Sequence, residues 1–218
     1  MVEYAIISTG SKGNAVIIGT QILIDCGVSF KAIEPYMKDL KLVLLTHIHG
    51  DHFKASTIRR LAELRPTLRF ACGEWLVIPL LQCGVDKKNI DVMEPHYDHA
   101  YKAATVSMFE VEHDVRNCGY KIHLANGQRV FYVTDAGNLN GVEAKHYNLY
   151  MIEGDYDKEE LEQRISDKKA EGQFIYERRV EGNHLSKQQC LDFVAQNAGP
   201  DSMFIYMHEH AEKEIIAT

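Results

Sequence analysis

Nothing in the chain marks it as secreted, membrane-spanning or built to coat a polyanion. Its five cysteines (Cys26, Cys72, Cys83, Cys118, Cys190) are scattered and include no C-x-x-C pair. Such an odd, unpatterned set offers no disulfide framework and reads as buried free thiols in a reducing compartment. No apolar run is long enough to cross a bilayer, and Met1-Val2-Glu3-Tyr4 lacks the basic stretch that opens a signal peptide. A cytoplasmic protein without a membrane partner is therefore expected. No internal repeat and no low-complexity linker interrupts the 218 residues. One domain over 1–218 is expected, large enough to bury a core without staples. Positive charge is also short: 24 Lys and Arg stand against 31 Asp and Glu, a net charge of −7. Dedicated nucleic-acid binders usually show a basic face, so a long polyanion held across a wide surface is disfavoured. A small substrate with one or two phosphates needs no such face.

With 45% hydrophobic and 25% charged residues, the composition is that of an ordinary globular protein. Its densest chemistry is Thr46-His47-Ile48-His49-Gly50-Asp51-His52, directly after the apolar run Leu42-Val43-Leu44-Leu45. The run reads as a buried strand, so the histidines sit where strand gives way to loop. Side chains two apart on extended chain point the same way, so His47 and His49 can converge on one point. The loop can carry Asp51 and His52 to a second point nearby. Imidazole and carboxylate suit zinc, manganese and iron, and open catalytic sites use them without thiolates. A polar surface turn with accidental histidines explains neither the density nor the position.

His47, His49, Asp51 and His52 form His-x-His-x-Asp-His after an apolar strand. This resembles the signature of the metallo-β-lactamase fold, which hosts hydrolases of thioesters, lactams and phosphodiesters. The resemblance implies a four-layer αββα sandwich; periodicity alone gives mixed α and β (α/β or α+β).

Other apolar runs fill in the chain. Tyr4–Ile7, Ala15–Ile18 and Gln21–Ile24 read as strands, the last two as a hairpin around Gly19-Thr20. Between the first two lies Gly10-Ser11-Lys12-Gly13-Asn14. Its N–H groups could cradle a phosphate, with Ser11 and Asn14 touching substrate, or it is a tight turn. It lacks the P-loop pattern and precedes a strand. Ser29–Lys38 and Lys54–Leu64 read as helices, the first with Ser29 as N-cap, the second stopped by Pro66. Leu68–Cys72 is a strand, Glu74–Gln82 a helix capped by Gly84, and Ile90–Met93 a strand. His96 and His99 are placed in a polar loop outside the site. Thr105–Val111 alternates like a strand and is followed by Glu112-His113-Asp114; Asp114 reads as a solvated loop acid. Tyr120–Leu124 and Arg129–Val133 pair around Asn126-Gly127, and the second ends at Thr134-Asp135. His113 and Asp135 thus repeat the pattern of strand followed by ligand-type residue. Leu149–Ile152 is a strand ending at Glu153, and Asp157–Ala170 a solvated helix. Ser186 to Gln189 fits a capping box for a helix reaching about Asn197, and Met203–Met207 is a final strand.

A finer resemblance rests on Gly10-Ser11, Gly13-Asn14, Ile24-Asp25-Cys26-Gly27 and Asn183-His184-Leu185-Ser186. These look like the YycJ (WalJ) branch, whose characterised members are DNA exonucleases, and more loosely like tRNase Z. Phage-encoded cyclic-nucleotide phosphodiesterases share the same core. The resemblance implies a dinuclear site holding two divalent ions (zinc or manganese). His47, His49 and His113 would hold one, Asp51, His52 and His208 the other, and Asp135 would bridge them. It also implies that His184 faces the scissile phosphate while Glu153 orients it, and that Asp51 could orient the nucleophile. His208-Glu209-His210 replaces the family's usual His-Leu-Ser, so His210 competes with His208 as last ligand.

The expected function is a phosphodiesterase acting on nucleotides or nucleic acid, either a cyclic-nucleotide phosphodiesterase or a YycJ-type exonuclease. A homodimer is plausible. The alternatives are a hydrolase of a thioester or lactam, which has no need of a phosphate-facing His184, and a binding protein with a vestigial site. A basic groove beside the metals would favour DNA; a closed, aromatic-lined pocket would favour a cyclic nucleotide.

Overall fold

The computed structural model describes residues 1–175 and 177–208; His210 lies outside the described residues. In chain order the strands and helices are β1 (Tyr4–Ser8), β2 (Ala15–Ile18), β3 (Ile22–Ile24), α1 (Phe30–Ile33), β4 (Leu42–Leu45), α2 (Ala55–Leu64), β5 (Arg69–Cys72), α3 (Val77–Gln82), β6 (Ile90–Val92), β7 (Asp98–Ala100), β8 (Ala104–Val111), β9 (Asn117–Leu124), β10 (Arg129–Val133), β11 (Leu149–Glu153), α4 (Lys158–Ala170), α5 (Glu177–Asn183), α6 (Lys187–Asn197) and β12 (Met203–Met207). The strands form two six-stranded sheets, ordered β1-β2-β3-β4-β5-β6 and β12-β11-β10-β9-β8-β7. In the first sheet β1, β2 and β3 are antiparallel, and β3 to β6 run parallel. In the second, β7 to β10 are antiparallel, and β10 to β12 run parallel.

The alternation of side chains along each strand builds the layers. Val16, Ile18, Ile22, Ile24, Leu42 and Leu44 point from the first sheet into a core shared with Met108, Tyr120, Ile122, Val130, Tyr132 and Met151 of the second. Their neighbours Ile17, Leu23, Val43 and Leu45 face outward and are covered by Ile58, Leu61 and Leu80 of α2 and α3. On the far side Phe131, Val133, Tyr150 and Ile152 are covered by Cys190 and Phe193 of α6. Three cores between helices, two sheets and helices make the αββα sandwich. All five cysteines are buried and unpaired.

Capping explains the better-placed helices. Ser186 accepts from Gln189 N while the Gln189 side chain accepts from Ser186 N, a reciprocal box at the start of α6. Asp157 caps α4 by accepting from Glu159 N and Glu160 N. That helix buries Leu161 and presents its charges outward.

The structure departs from the sequence reading in three places. The helix expected over Ser29–Lys38 is one turn long, and Ser29 makes no side-chain cap. Pro35 has no N–H for the Lys31 carbonyl, and the chain tightens into three-residue turns, with Tyr36 N donating to Ile33 O at 2.9 Å. The polar segment at Asp98–Ala100 is a strand, an edge strand whose ladder to β8 needs no apolar face. The segment Glu177–Asn183 is helical although no periodicity announced it. Among the described residues no helix is long and apolar enough to cross a membrane.

Because β8 and β10 are both antiparallel to β9, the carboxyl ends of β8, β10, β11 and β12 lie along one edge of their sheet. The two sheets are tied at the end of β4, where Tyr120 Oη donates to the Leu45 carbonyl at 2.5 Å. The ligand-type residues gather there.

Candidate metal centre

The loop leaving β4 alternates as extended chain requires: His47 is buried, Ile48 is 40% exposed, and His49 turns back inward. His47 Nε2 and His49 Nδ1 lie 3.2 Å apart, and His113 Nε2, delivered by the end of β8, lies 3.4 Å from His49 Nδ1. Four tetrahedral bonds of about 2.0–2.1 Å give an N···N edge of about 3.3 Å, so these spacings fit a common ion. His47 is pushed down to about 2 by burial and then by the neighbouring His52, and burial likewise lowers His113. Both are neutral imidazoles with a lone pair to give.

The second group sits deeper. His52 Nε2 lies 2.9 Å from Asp135 Oδ2 and 3.7 Å from Asp51 Oδ2. His208 Nε2 lies 3.5 Å from Asp135 Oδ1 and 3.7 Å from Asp51 Oδ2. Burial opposes charging of His52 and His208, but the surrounding carboxylates win. Asp135 and Asp25 raise His52 to about 10; Asp155, Asp51 and Glu153 raise His208 further. Among the described residues Asp135 Oδ2 and both ring nitrogens of His208 are buried without an aligned hydrogen-bond partner. Close polar atoms that face one another without pairing suit a shared cation. By proximity His47, His49 and His113 form one candidate ion site and Asp51, His52 and His208 another, while Asp135 groups with residues of both.

Outer partners fix which nitrogen points inward. Asp25 Oδ2 accepts His52 Nδ1–H at 2.7 Å, and Asp25 also takes the Thr46 N–H at 2.9 Å. Thr46 Oγ1 lies 3.0 Å from His47 Nδ1, and the Asn183 carbonyl lies 3.1 Å from His113 Nδ1. Such contacts fix tautomer and ring orientation. Sequence reasoning marked Asp25 only as part of the Ile24-Asp25-Cys26-Gly27 resemblance and gave it no role, because its partners lie across the parallel pair β3–β4. One signal appears only in the backbone: Asp25, Asp135 and His208, each just past a strand end, have φ of 60°, 55° and 54°. Non-glycine residues rarely adopt this conformation, and it clusters at functional sites.

His184, just past α5, lies beside both groups. Its ring centroid is 5.5 Å from that of His113 and 5.5 Å from that of His208. Glu153 Oε1 accepts from His184 Nδ1 at 2.6 Å, while Oε2 takes Ala136 N and Leu185 N. Burial lowers His184, and the contacts with Glu153 and Asp135 overcome it, leaving it raised. Glu153 and His184 also fall in a group with Asp135 and His208 that could hold an ion. Their own hydrogen bonds already use the facing atoms, so that group is the weaker candidate.

The Gly-rich loop folds as a turn. Asn14 is fully buried: its Oδ1 accepts from Gly10 N at 2.9 Å, and its Nδ2 lies 2.8 Å from His52 Nε2. Ser11 is exposed on this loop. Asp114 is not simply a solvated acid; its carboxylate lies 3.3 Å from His49 Nε2. His99 lies outside both groups, in the edge strand β7, and His96 in the turn before it.

Gly27 holds the assembly closed. A Cβ there would fall 1.6 Å from the Asp51 carbonyl oxygen and 2.8 Å from Asn14 N, both backbone atoms. Gly27→Ala is therefore expected to cost about 3 kcal/mol, the upper end for overpacking. Thermal unfolding would show this as a lowered midpoint, and an unchanged midpoint would contradict the packing described.

A family profile described as the beta-lactamase superfamily domain matches residues 20–208. Over 174 residues the chain is 25% identical to exodeoxyribonuclease YycJ of Bacillus anthracis, covering 73% of this chain and 65% of that protein. It thus spans just under two thirds of that relative's length. It superposes on the metallo-beta-lactamase fold protein YhfI of Bacillus subtilis with a TM-score of 0.72 at 14% identity, covering 96% of this chain and 87% of that one. Against the short form of human tRNase Z the TM-score is 0.68 at 14% identity, over 96% and 92% of the chains. A diphosphatase of the PhnP family gives 0.64 at 13%, over 96% and 87%. At these identities the structural likeness is one of fold.

Proposed function

The chain belongs to the β-lactamase superfamily, and we propose that it is a metal-dependent phosphodiesterase acting on nucleotides or nucleic acid. His47, His49 and His113 would hold one divalent ion, Asp51, His52 and His208 a second, with Asp135 between them. Zinc and manganese both suit these donors. When bound, the ions supply Lewis acidity to phosphoryl oxygens and acidify a water to a pKa of about 7.

The remaining work falls to side chains. Asp51, half-exposed at the rim, orients the attacking water. His184 presents Nε2 to the phosphate or the leaving oxygen, because Glu153 occupies Nδ1. Asp25 holds His52 in place through Nδ1. The observation that carries the reading is this Glu153–His184 pair between His113 and His208. A held imidazole donor beside the ion sites is placed to meet the charge of a phosphoryl group or to protonate a departing alkoxide. The names of the relatives point the same way: an exodeoxyribonuclease, a tRNase and a diphosphatase all cleave bonds to phosphorus.

The neighbouring groove bears on substrate size. A cavity of about 590 Å³ adjoins His113, and Glu110, Glu112, Asp114, Asn138 and Asn140 line it. Among the described lining residues the cation is Arg116, already paired with Glu110 and Glu74. This lining is neither a basic groove nor an aromatic-walled pocket. It repels a continuing phosphodiester chain and offers hydrogen-bonding groups to a base or sugar. It therefore favours a small nucleotide or a strand end over internal cleavage.

Parallel hydrolysis assays with added Mn²⁺ or Zn²⁺ test this, using 3′,5′-cyclic nucleotides, a 5′-labelled duplex DNA and a thioester, with Asp51→Ala as control. Cleavage of cyclic nucleotides or progressive loss of the DNA label is expected. Turnover of the thioester alone would contradict the proposal.

A further inference from the structure

We propose that Asp114 is a positioning residue for the ion site formed by His47, His49 and His113, holding His49 in the tautomer that turns Nδ1 inward. The inference rests on the metal-dependent reading above. His47, His52 and His113 each have Nδ1 against an oxygen, which leaves Nε2 facing the ion sites. His49 is reversed. Its Nδ1 faces His47 Nε2 at 3.2 Å and His113 Nε2 at 3.4 Å, so its outer nitrogen is Nε2. A neutral imidazole that gives the Nδ1 lone pair to an ion carries its proton on Nε2, and that proton needs an acceptor. Asp114 Oδ1 lies 3.3 Å away.

Two further contacts place the carboxylate. Oδ1 is also 3.2 Å from His113 Nε2, so its charge borders the ion site from the groove side. Oδ2 is 3.6 Å from Arg179 of α5, whose side chain is 76% exposed. An ion pair so exposed steers little, so Asp114 does the positioning and Arg179 is a minor influence. The competing description is a solvated acid, and the Asp114 side chain is 34% exposed. That exposure places the expected effect within the range for partners behind a metal ligand, not at complete loss of binding.

The test is a Co²⁺ titration of chelator-stripped wild type, Asp114→Ala, Asp114→Asn and Arg179→Gln, followed by the visible spectrum of the bound ion. Asp114→Ala is expected to weaken one of two cobalt ions by about 10–100-fold and change its spectrum, leaving the other ion as in wild type. Asp114→Asn keeps an acceptor of the same shape and is expected to recover part of that affinity and the spectrum. Arg179→Gln is expected to stay within about fivefold of wild type. The thermal midpoint of stripped Asp114→Ala should equal that of wild type. If both Asp114 variants bind two cobalt ions with wild-type affinity and spectrum, Asp114 is only a solvated acid. If wild type binds no cobalt, the metal-dependent reading itself fails and takes this inference with it.

Discussion

Asp135→Asn is expected to reduce metal-dependent turnover by about 10⁴-fold or more, set against the roughly 10⁶-fold or larger acceleration that enzymes supply. Among the described residues Asp135 is the acid whose two oxygens reach different imidazoles: Oδ2 lies 2.9 Å from His52 Nε2, and Oδ1 lies 3.5 Å from His208 Nε2. Asparagine keeps the shape and, unlike alanine, readily adopts the left-handed backbone that φ of 55° demands. The substitution therefore removes charge with little change in geometry, and it turns an amide toward the position of a cation. Elemental analysis beside a turnover assay reads the result. Fewer than two bound ions, an intact circular-dichroism spectrum and turnover lowered by that factor are expected. Two tightly bound ions with wild-type turnover would show that Asp135 bridges nothing.

His184→Ala carries the second-largest expected effect, and its size should depend on the leaving group. If His184 protonates the departing oxygen, a sugar alkoxide needs it and a p-nitrophenolate does not. The loss is expected to be about 10²–10⁴-fold in kcat for a nucleotide substrate, and close to none for a p-nitrophenyl phosphodiester. An equal loss on both substrates would assign His184 to stabilising phosphate charge instead. Glu153 Oε1 meets His184 Nδ1 and also lies 3.4 Å from His208 Nδ1, so Glu153→Gln/His184→Ala should fall somewhat below His184→Ala in kcat. The same substitution turns an amide toward Ala136 N and Leu185 N, whose hydrogen bonds Oε2 now accepts. Glu153→Gln alone is thus expected to lower stability as well, by about 1–3 kcal/mol.

How far the site could be read in advance depended on how local its signal is. His47, His49, Asp51 and His52 share one strand end, and two-residue alternation suffices to aim His47 and His49. His113 and Asp135 follow strands with clear periodicity, so position in the pattern marked them. His208, His184 and Glu153 were legible through family resemblance, because nothing local singles out a histidine after a final strand or an acid ending β11. Asp25, quoted only within a motif, and Asp114, read as a solvated acid, went without their contacts for one shared reason: each meets an imidazole that another segment delivers, and only tertiary contact reveals it. Asn14 was noticed, but its burial against His52 could not be read from a Gly-rich turn. In the fold, long apolar strands were read well. The errors fell where one residue or an edge decides: Pro35 shortens α1, and Asp98-His99-Ala100 pairs as an edge strand without an apolar face.

The most direct test of the central claim is a metal titration. Chelator-stripped protein is assayed on a p-nitrophenyl phosphodiester while Mn²⁺ or Zn²⁺ is added in measured equivalents. The account expects no hydrolysis from the stripped protein and activity that rises to a plateau at two equivalents per chain. Hydrolysis by the stripped protein, or none at any level of either ion, would contradict it.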